Sequence, residues 1–218
     1  VSDAKVINTL ILTSDGNAKN VTGYHIRLGV DTTYVQGDSE VGLVIMRYAE
    51  ALLSYAEAAE ELGKCDDAVL EKTLKPLRER AGVKYVKPVT VDPNFTDYGY
   101  ALTPVLQEIR RERRVELALQ GYRLDDLMRW GGAKVIVNKR GRGAYLGKDA
   151  VLYKSFTEEQ QSKLTTILTD GSQWMDPLQE LLPNGYQFVA GRDYLLPIPP
   201  SELKLNRQMK QNPGWGEE

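Results

Sequence analysis

The strongest apolar period in the chain lies in "VGLVIMRYAEALLSYAEAAEELG", residues 41–63. Ile45, Ala49, Leu52, Ala56 and Ala59 recur at helical spacing, and Tyr48, Tyr55 and Leu62 widen the stripe. Arg47, Glu50, Ser54, Glu57 and Glu61 follow a 3-4-3-4 pattern on the other side. The alanines let a neighbouring helix come close, and Gly63 supplies a stop. "CDDAVLEKTLKPLRERAG" predicts a second helix ending at Gly82. Pro76 should kink it, because proline lacks a backbone donor and its ring strikes the preceding turn. From Tyr48 to Ala81 is 34 residues, the length of a tetratricopeptide helix pair, although that repeat's Trp and Leu-Gly positions are absent.

Elsewhere the period is shorter. Residues 1–42 alternate and read as strands and turns. Residues 83–102 form a long aromatic loop, after which Thr103 and Pro104 supply an N-cap and a first-turn proline. The helix they start can run to Gln120, roughly 27 Å at the standard rise. Gly121 breaks it, and "YRLDDLMRW" begins a shorter one. Thr157 and Gln160 make a capping box for "EEQQSKLTTIL". Asp176-Pro177 starts another short helix, ended near Pro183-Asn184-Gly185, while "YQFVA" and "YLLPIPP" are extended.

Composition narrows the chemistry. The 28 basic and 30 acidic residues of this 218-residue chain leave a net charge of −2, so no global positive field draws in nucleic acid. With one cysteine (Cys65) and one histidine (His25), an intramolecular disulfide and a Cys/His metal cluster are excluded. Cys65 falls in a helix–helix turn and His25 in an alternating segment, which makes neither a catalytic group. No run approaches the ~20 apolar residues of a membrane helix. The chain starts at Val1 without a signal peptide, and the expectation is a processed chain or part of a longer one.

Six arginines crowd "EIRRERRVELALQGYRLDDLMRWG", residues 108–131. Glu108, Glu112, Glu116, Asp125 and Asp126 interrupt them, unlike the basic stripe of a nucleic-acid helix. Arg113 and Glu116 are placed to pair, as is Asp125 or Asp126 with Arg129, and an arginine can stack on Trp130. The expected role is an ionic scaffold. Asp125 and Asp126 project about 100° apart on a helix, a poor geometry for two acids flanking one bond. "GRGAYLGKD" misses the phosphate-loop pattern, with Arg142 where the first glycine belongs and Asp149 in place of the hydroxyl. Asp92, Asn94 and Asp97 offer oxygens but lack calcium-loop spacing. Aromatic residues offer the best binding candidates. Tyr98 and Tyr100 lie in the long loop and Trp174 in the polar "DGSQWMDP", where rings can stack on a sugar.

Read in order, "TGYHIRLGVD", "IMRYAEALLSYAEAAEELG", "LKPLRERAGV", "IRRERRVELALQGYRLDDLMRWG", "YLLPIPPSEL" and "QNPGW" resemble the carboxy-terminal half of the SusD/RagB family. Those are cell-surface outer-membrane lipoproteins that capture glycans, sometimes peptides, for a TonB-dependent (SusC-like) transporter. The resemblance implies a mainly α fold, with tetratricopeptide-like helix pairs in a superhelical scaffold, long loops and a few short strands. It implies one carboxy-terminal domain over 1–218: an extended segment 1–42, a helical hairpin 43–82, arginine-rich helices 103–131 and a loop-rich region 132–218. It further implies binding without catalysis, cofactor or metal; Trp174, Tyr98 and Tyr100 are the candidate ligand contacts on their polar loop settings alone. Glu112 through Trp130 would be scaffold. The chain departs from the family at Leu28, where a basic residue is expected, and at Pro76. It also lacks the helical amino-terminal half and the lipid-bearing cysteine, which Cys65 cannot replace from inside a hairpin; "NPGW" implies that the remainder lies upstream. Two other readings compete: a soluble tetratricopeptide-type adaptor and, less favoured, a glycoside hydrolase.

Overall fold

A computed structural model describes residues 22–24, 42, 44–163 and 169–216. The strands expected in 1–42, with His25 and Leu28, lie almost wholly outside the described residues. The chain divides into two compact units, one built on residues 136–187 with 22–24, the other on 42–135 with 188–216.

The second of these is helical. It holds α1 (Tyr48–Glu61), α2 (Asp67–Lys72), α3 (Leu74–Arg80), α4 (Pro104–Glu116) and α5 (Tyr122–Arg129). Ala49, Leu53 and Ala56 of α1 meet Leu70, Leu74 and Leu77 of α2–α3 and Ile109 of α4 in one core. This differs from the stripe read in the sequence. Tyr48, Tyr55 and Leu62 are exposed, Ile45 is 82% exposed, and Leu53 and Glu57 are buried instead. The helix starts only at Tyr48, and its alanine face wins because small side chains let α4 approach most closely. At its end Gly63 adopts φ +65, and the Lys64 amide donates to the Ala59 carbonyl at 2.8 Å, the Schellman arrangement.

Pro76 does more than kink. The carbonyl its ring would strike belongs to Lys72, and the helix breaks next to it at Thr73 (φ −114, ψ −74). The buried Thr73 hydroxyl donates to the Val69 carbonyl at 2.7 Å and closes the broken turn. Helix α4 begins as expected, the Thr103 hydroxyl accepting from the Leu106 amide at 3.0 Å ahead of Pro104. It stops at Glu116 rather than Gln120. The Glu116 carbonyl there receives the Arg47 guanidinium at 2.8 Å and the Gln120 side-chain amide at 3.0 Å, so side chains replace the next helical bond.

The carboxy-terminal stretch of this unit carries α9 (Pro200–Leu205) and an extended "LLPI". Gln211 brackets Ile198, accepting from its amide at 2.8 Å and donating to its carbonyl at 2.9 Å. Asn212 and Trp215 donate to the carbonyls of Leu196 and Leu195 at 2.7 and 2.9 Å. The side chains of "QNPGW" thus serve the proline-rich segment as a strand partner would.

In the other unit lie α7 (Val151–Lys154) and α8 (Glu158–Lys163); α6 (Ala133–Ile136) is a single turn. The Thr157–Gln160 capping box forms, with bonds of 2.9 and 3.3 Å. Ala144, Leu146 and Met175 make a small core with Leu152. Among the described residues the expected short strands are reduced to isolated bridges, Val137–Tyr186, Tyr145–Trp174 and Thr169–Met175. Gly143 is required here: a Cβ would sit 2.2 Å from the Thr22 carbonyl oxygen. The helix expected from Asp176-Pro177 is only a series of turns. Arg140 takes the carbonyls of Leu182 and Pro183 at 3.1 and 2.9 Å, which draws them to a guanidinium instead of a helical ladder.

Candidate functional site

The arginine helices build the support for the aromatic loop. Glu57 is buried on α1, where its carboxylate accepts two bonds from Arg129 at 2.8 and 2.6 Å and one from the Trp130 indole at 2.5 Å. Arg113 grips Asp126 with two bonds of 3.1 and 3.0 Å and lies 3.6 Å from Glu57. Arg129 also bonds Asp126, at 2.8 Å, as the sequence anticipates. The expected Arg113–Glu116 pair does not form. Glu116 faces Arg47 at 2.7 Å and Arg80 at 2.5 Å, because Arg113 turns inward to the buried Asp126. Two guanidinium groups and two carboxylates balance. Burial alone would lower the Arg129 pKa, but its hydrogen bonds to Glu57 and Asp126 outweigh that and raise it.

The 83–102 loop closes over this network. Asp92 and Asp97 each accept the amide two residues ahead, from Asn94 at 2.9 Å and Gly99 at 2.7 Å, which shapes tight polar turns. Their other oxygens meet Arg111 at 2.6 Å and Lys134 at 2.5 Å, so these carboxylates serve cations of the chain itself. No group of three or more potential metal ligands occurs among the described residues. Tyr98 is 4% exposed and packs edge-on against Trp130, ring centroids 5.8 Å apart. Tyr100 is 46% exposed; its hydroxyl donates to the Trp130 carbonyl at 2.6 Å and accepts from Arg110 at 2.7 Å. The Arg110 guanidinium lies over the rings of Trp130, Tyr98 and Tyr100 at 4.4, 5.1 and 5.5 Å. Beside them opens a cleft of about 200 Å³, lined by Asp92, Phe95, Tyr98, Arg110, Arg111 and Arg114 among others.

Trp174 belongs to the other unit. Asp170 shapes its turn by accepting the Ser172 and Trp174 amides at 2.8 and 3.0 Å, and Arg142 holds the same carboxylate at 2.9 Å. The Trp174 ring is 37% exposed and lies 5.2 Å from that of Tyr145. The Tyr145 hydroxyl donates to Asp149 at 3.0 Å, which raises its pKa. A second cleft, of about 440 Å³, is lined by Asn138, Lys139, Arg140, Arg142 and Asp176. Arg140 bonds both Asp176 oxygens and holds that carboxyl below its ordinary pKa. Thus Tyr98 and Tyr100 come together, their rings 6.2 Å apart, while Trp174 pairs with Tyr145. Sequence reasoning missed Tyr145, whose one signal is its place within "GAYLG".

The SusD family model matches residues 7–215. The chain belongs to the SusD family. That is a family of non-catalytic binding proteins. The chain is similar to the crystal structure of a SusD homolog from Bacteroides thetaiotaomicron, with 25% identity over 85% of this chain and a TM-score of 0.45. It spans 30% of that homolog's length. No curated protein matches the chain. In this SusD-family chain Asp125 is exposed, while Asp126 is committed to Arg113 and Arg129. The described residues are mainly helical, and none of their helices is long and apolar enough to cross a membrane.

Proposed function

We propose that this chain is the carboxy-terminal portion of a cell-surface lipoprotein that captures glycan without altering it. The glycan then passes to a TonB-dependent, SusC-like outer-membrane transporter. The observation that carries this reading is the SusD family match over residues 7–215. The aromatic residues support it. Trp174 with Tyr145 offers a partly exposed ring platform, and Tyr100 offers a second exposed ring. Tyr98 acts from below as the buried floor of its cleft. Sugars suit such sites because a pyranose has an apolar face for the ring and hydroxyls for neighbouring polar groups.

Affinity electrophoresis through gels containing neutral and acidic polysaccharides tests the proposal. A retarding glycan should lose about tenfold in affinity when Trp174 becomes alanine, since one stacked ring contributes roughly 1–3 kcal/mol elsewhere in ring stacking. Unchanged retardation after alanine replacement of Trp174, Tyr98 and Tyr100 together would remove these residues from the site. Retardation by no glycan would remove the function. In the producing cells, antibody against this chain should detect a membrane-bound, protease-accessible protein larger than the chain. A soluble band of the chain's own size would favour the tetratricopeptide-type adaptor.

A further inference from the structure

We infer that the cleft beside the 92–98 loop is an anion subsite that takes a carboxylate or sulfate group carried by a sugar. The inference rests on the glycan-binding reading above and names the chemical class of one part of the ligand. Its strongest support is Arg110. This side chain is 4% exposed, lines the cleft, and has no carboxylate partner among the described residues. Among the described residues its one hydrogen bond goes to the Tyr100 hydroxyl, and its buried Nε has no partner. Arg113, one turn along the same helix and 5% exposed, shows what a buried guanidinium here otherwise obtains, both oxygens of Asp126. A buried cation without a counter-charge is unfavourable, and the faces of Trp130, Tyr98 and Tyr100 compensate only in part.

The rest of the cleft has the same sign. Arg110, Arg111 and Arg114 line it against a single carboxylate, Asp92, which Arg111 already holds at 2.6 Å. Arg114 is exposed and makes no ion pair or hydrogen bond among the described residues. Arg111 is shared between Asp92 and Glu108, the latter at 3.4 Å, while Arg110 and Arg114 have no carboxylate among the described residues. Guanidinium groups favour planar or tetrahedral oxyanions, which they bind through paired N–H bonds. At about 200 Å³ the cleft is smaller than the roughly 300–1,000 Å³ of pockets for larger ligands, so it suits one sugar ring or its substituent. Phe95 and Tyr98 also line it, beneath Arg111 and Arg110.

The test is calorimetric titration of the full chain at low salt with trigalacturonate, sulfated maltotriose and maltotriose. At least one charged ligand should bind about tenfold or more tightly than maltotriose, the strength of a charge-assisted bond, and the stronger of the two tells carboxylate from sulfate. Arg114→Gln, on an exposed position, should weaken that ligand about tenfold, whereas Lys75→Gln, which also removes one charge, should leave it unchanged. Equal affinity for all three ligands, or an acid preference that survives Arg114→Gln, would overturn the subsite and leave glycan binding standing. Binding of none of the three would overturn the subsite as well, while the wider polysaccharide panel decides the function separately.

Discussion

Replacing Glu57 with alanine should cost the helical unit far more than any other acidic residue of α1. The carboxylate is 3% exposed and receives Arg129 twice and the Trp130 indole once. Losing it leaves the buried indole N–H without an acceptor, about 1–3 kcal/mol. Arg129 retains Asp126 and its side chain is 43% exposed, so water replaces most of what it loses and this contributes only ~0–1 kcal/mol. Arg113 also keeps Asp126, but two guanidinium groups then share one carboxylate. The sum is about 3 kcal/mol, at the lower edge of the ~3–5 expected for breaking a buried pair, or roughly 6–12 °C in melting temperature. Urea unfolding followed by far-UV circular dichroism measures it, with Glu61→Ala as the exposed control, expected within ~0.5 kcal/mol of the parent. Glu57→Gln should lose less than alanine, because its amide oxygen still serves the indole. A loss below ~1 kcal/mol for Glu57→Ala would refute the idea that this network supports the fold.

The other predictions use separate regions. Arg140 depresses the pKa of Asp176, so the folded state binds fewer protons than the unfolded one, and this stabilisation is present above about pH 4 and lost as pH falls through the depressed value. Acid titration of unfolding should therefore show a limb that Arg140→Ala flattens; an unchanged limb would count against the pair. The Cys65 thiol is pushed up to about 11, first by burial and then by Glu60 and Asp66. Its alkylation by iodoacetamide should be slow at neutral pH and keep rising toward pH 11, and a plateau near the ordinary value of about 8.5 would contradict this. Thr103→Ala should cost about 1 kcal/mol in urea unfolding by freeing the Leu106 amide, and no measurable loss would show the cap to be idle.

Much of the local structure follows from residues a few positions apart. Thr103 with Pro104, Thr157 with Gln160, and Gly63 set helix ends through bonds reaching at most five residues, and those expectations hold. The family, too, is legible in the ordered motifs, since the matched region runs over nearly the whole chain. Partner choice is different. Arg113 has Glu116 nearby in sequence, yet it binds Asp126 from α5 and approaches Glu57 from α1, because burial rewards the partner that reaches it inside. Glu57 reads as part of a polar face, and only the packing of α1 on α4 buries it while Ser54 and Glu61 of that face stay exposed.

The same distinction runs through the aromatic residues. Tyr98 and Tyr100 share a loop and a residue type, and alternation alone gives them equal standing as contacts. Trp130 takes the Tyr98 ring edge-on, while Tyr100 remains half exposed with its hydroxyl tied down. Tyr145 becomes visible only when the bridge to Trp174 sets the two rings side by side. By itself the sequence determined the helix ends set by Thr103, by Thr157 with Gln160 and by Gly63, and which family the chain resembles. Tertiary structure alone decided which charges are balanced, leaving Arg110 buried without a carboxylate among the described residues, because charge balance depends on distances between segments and chain order does not encode them.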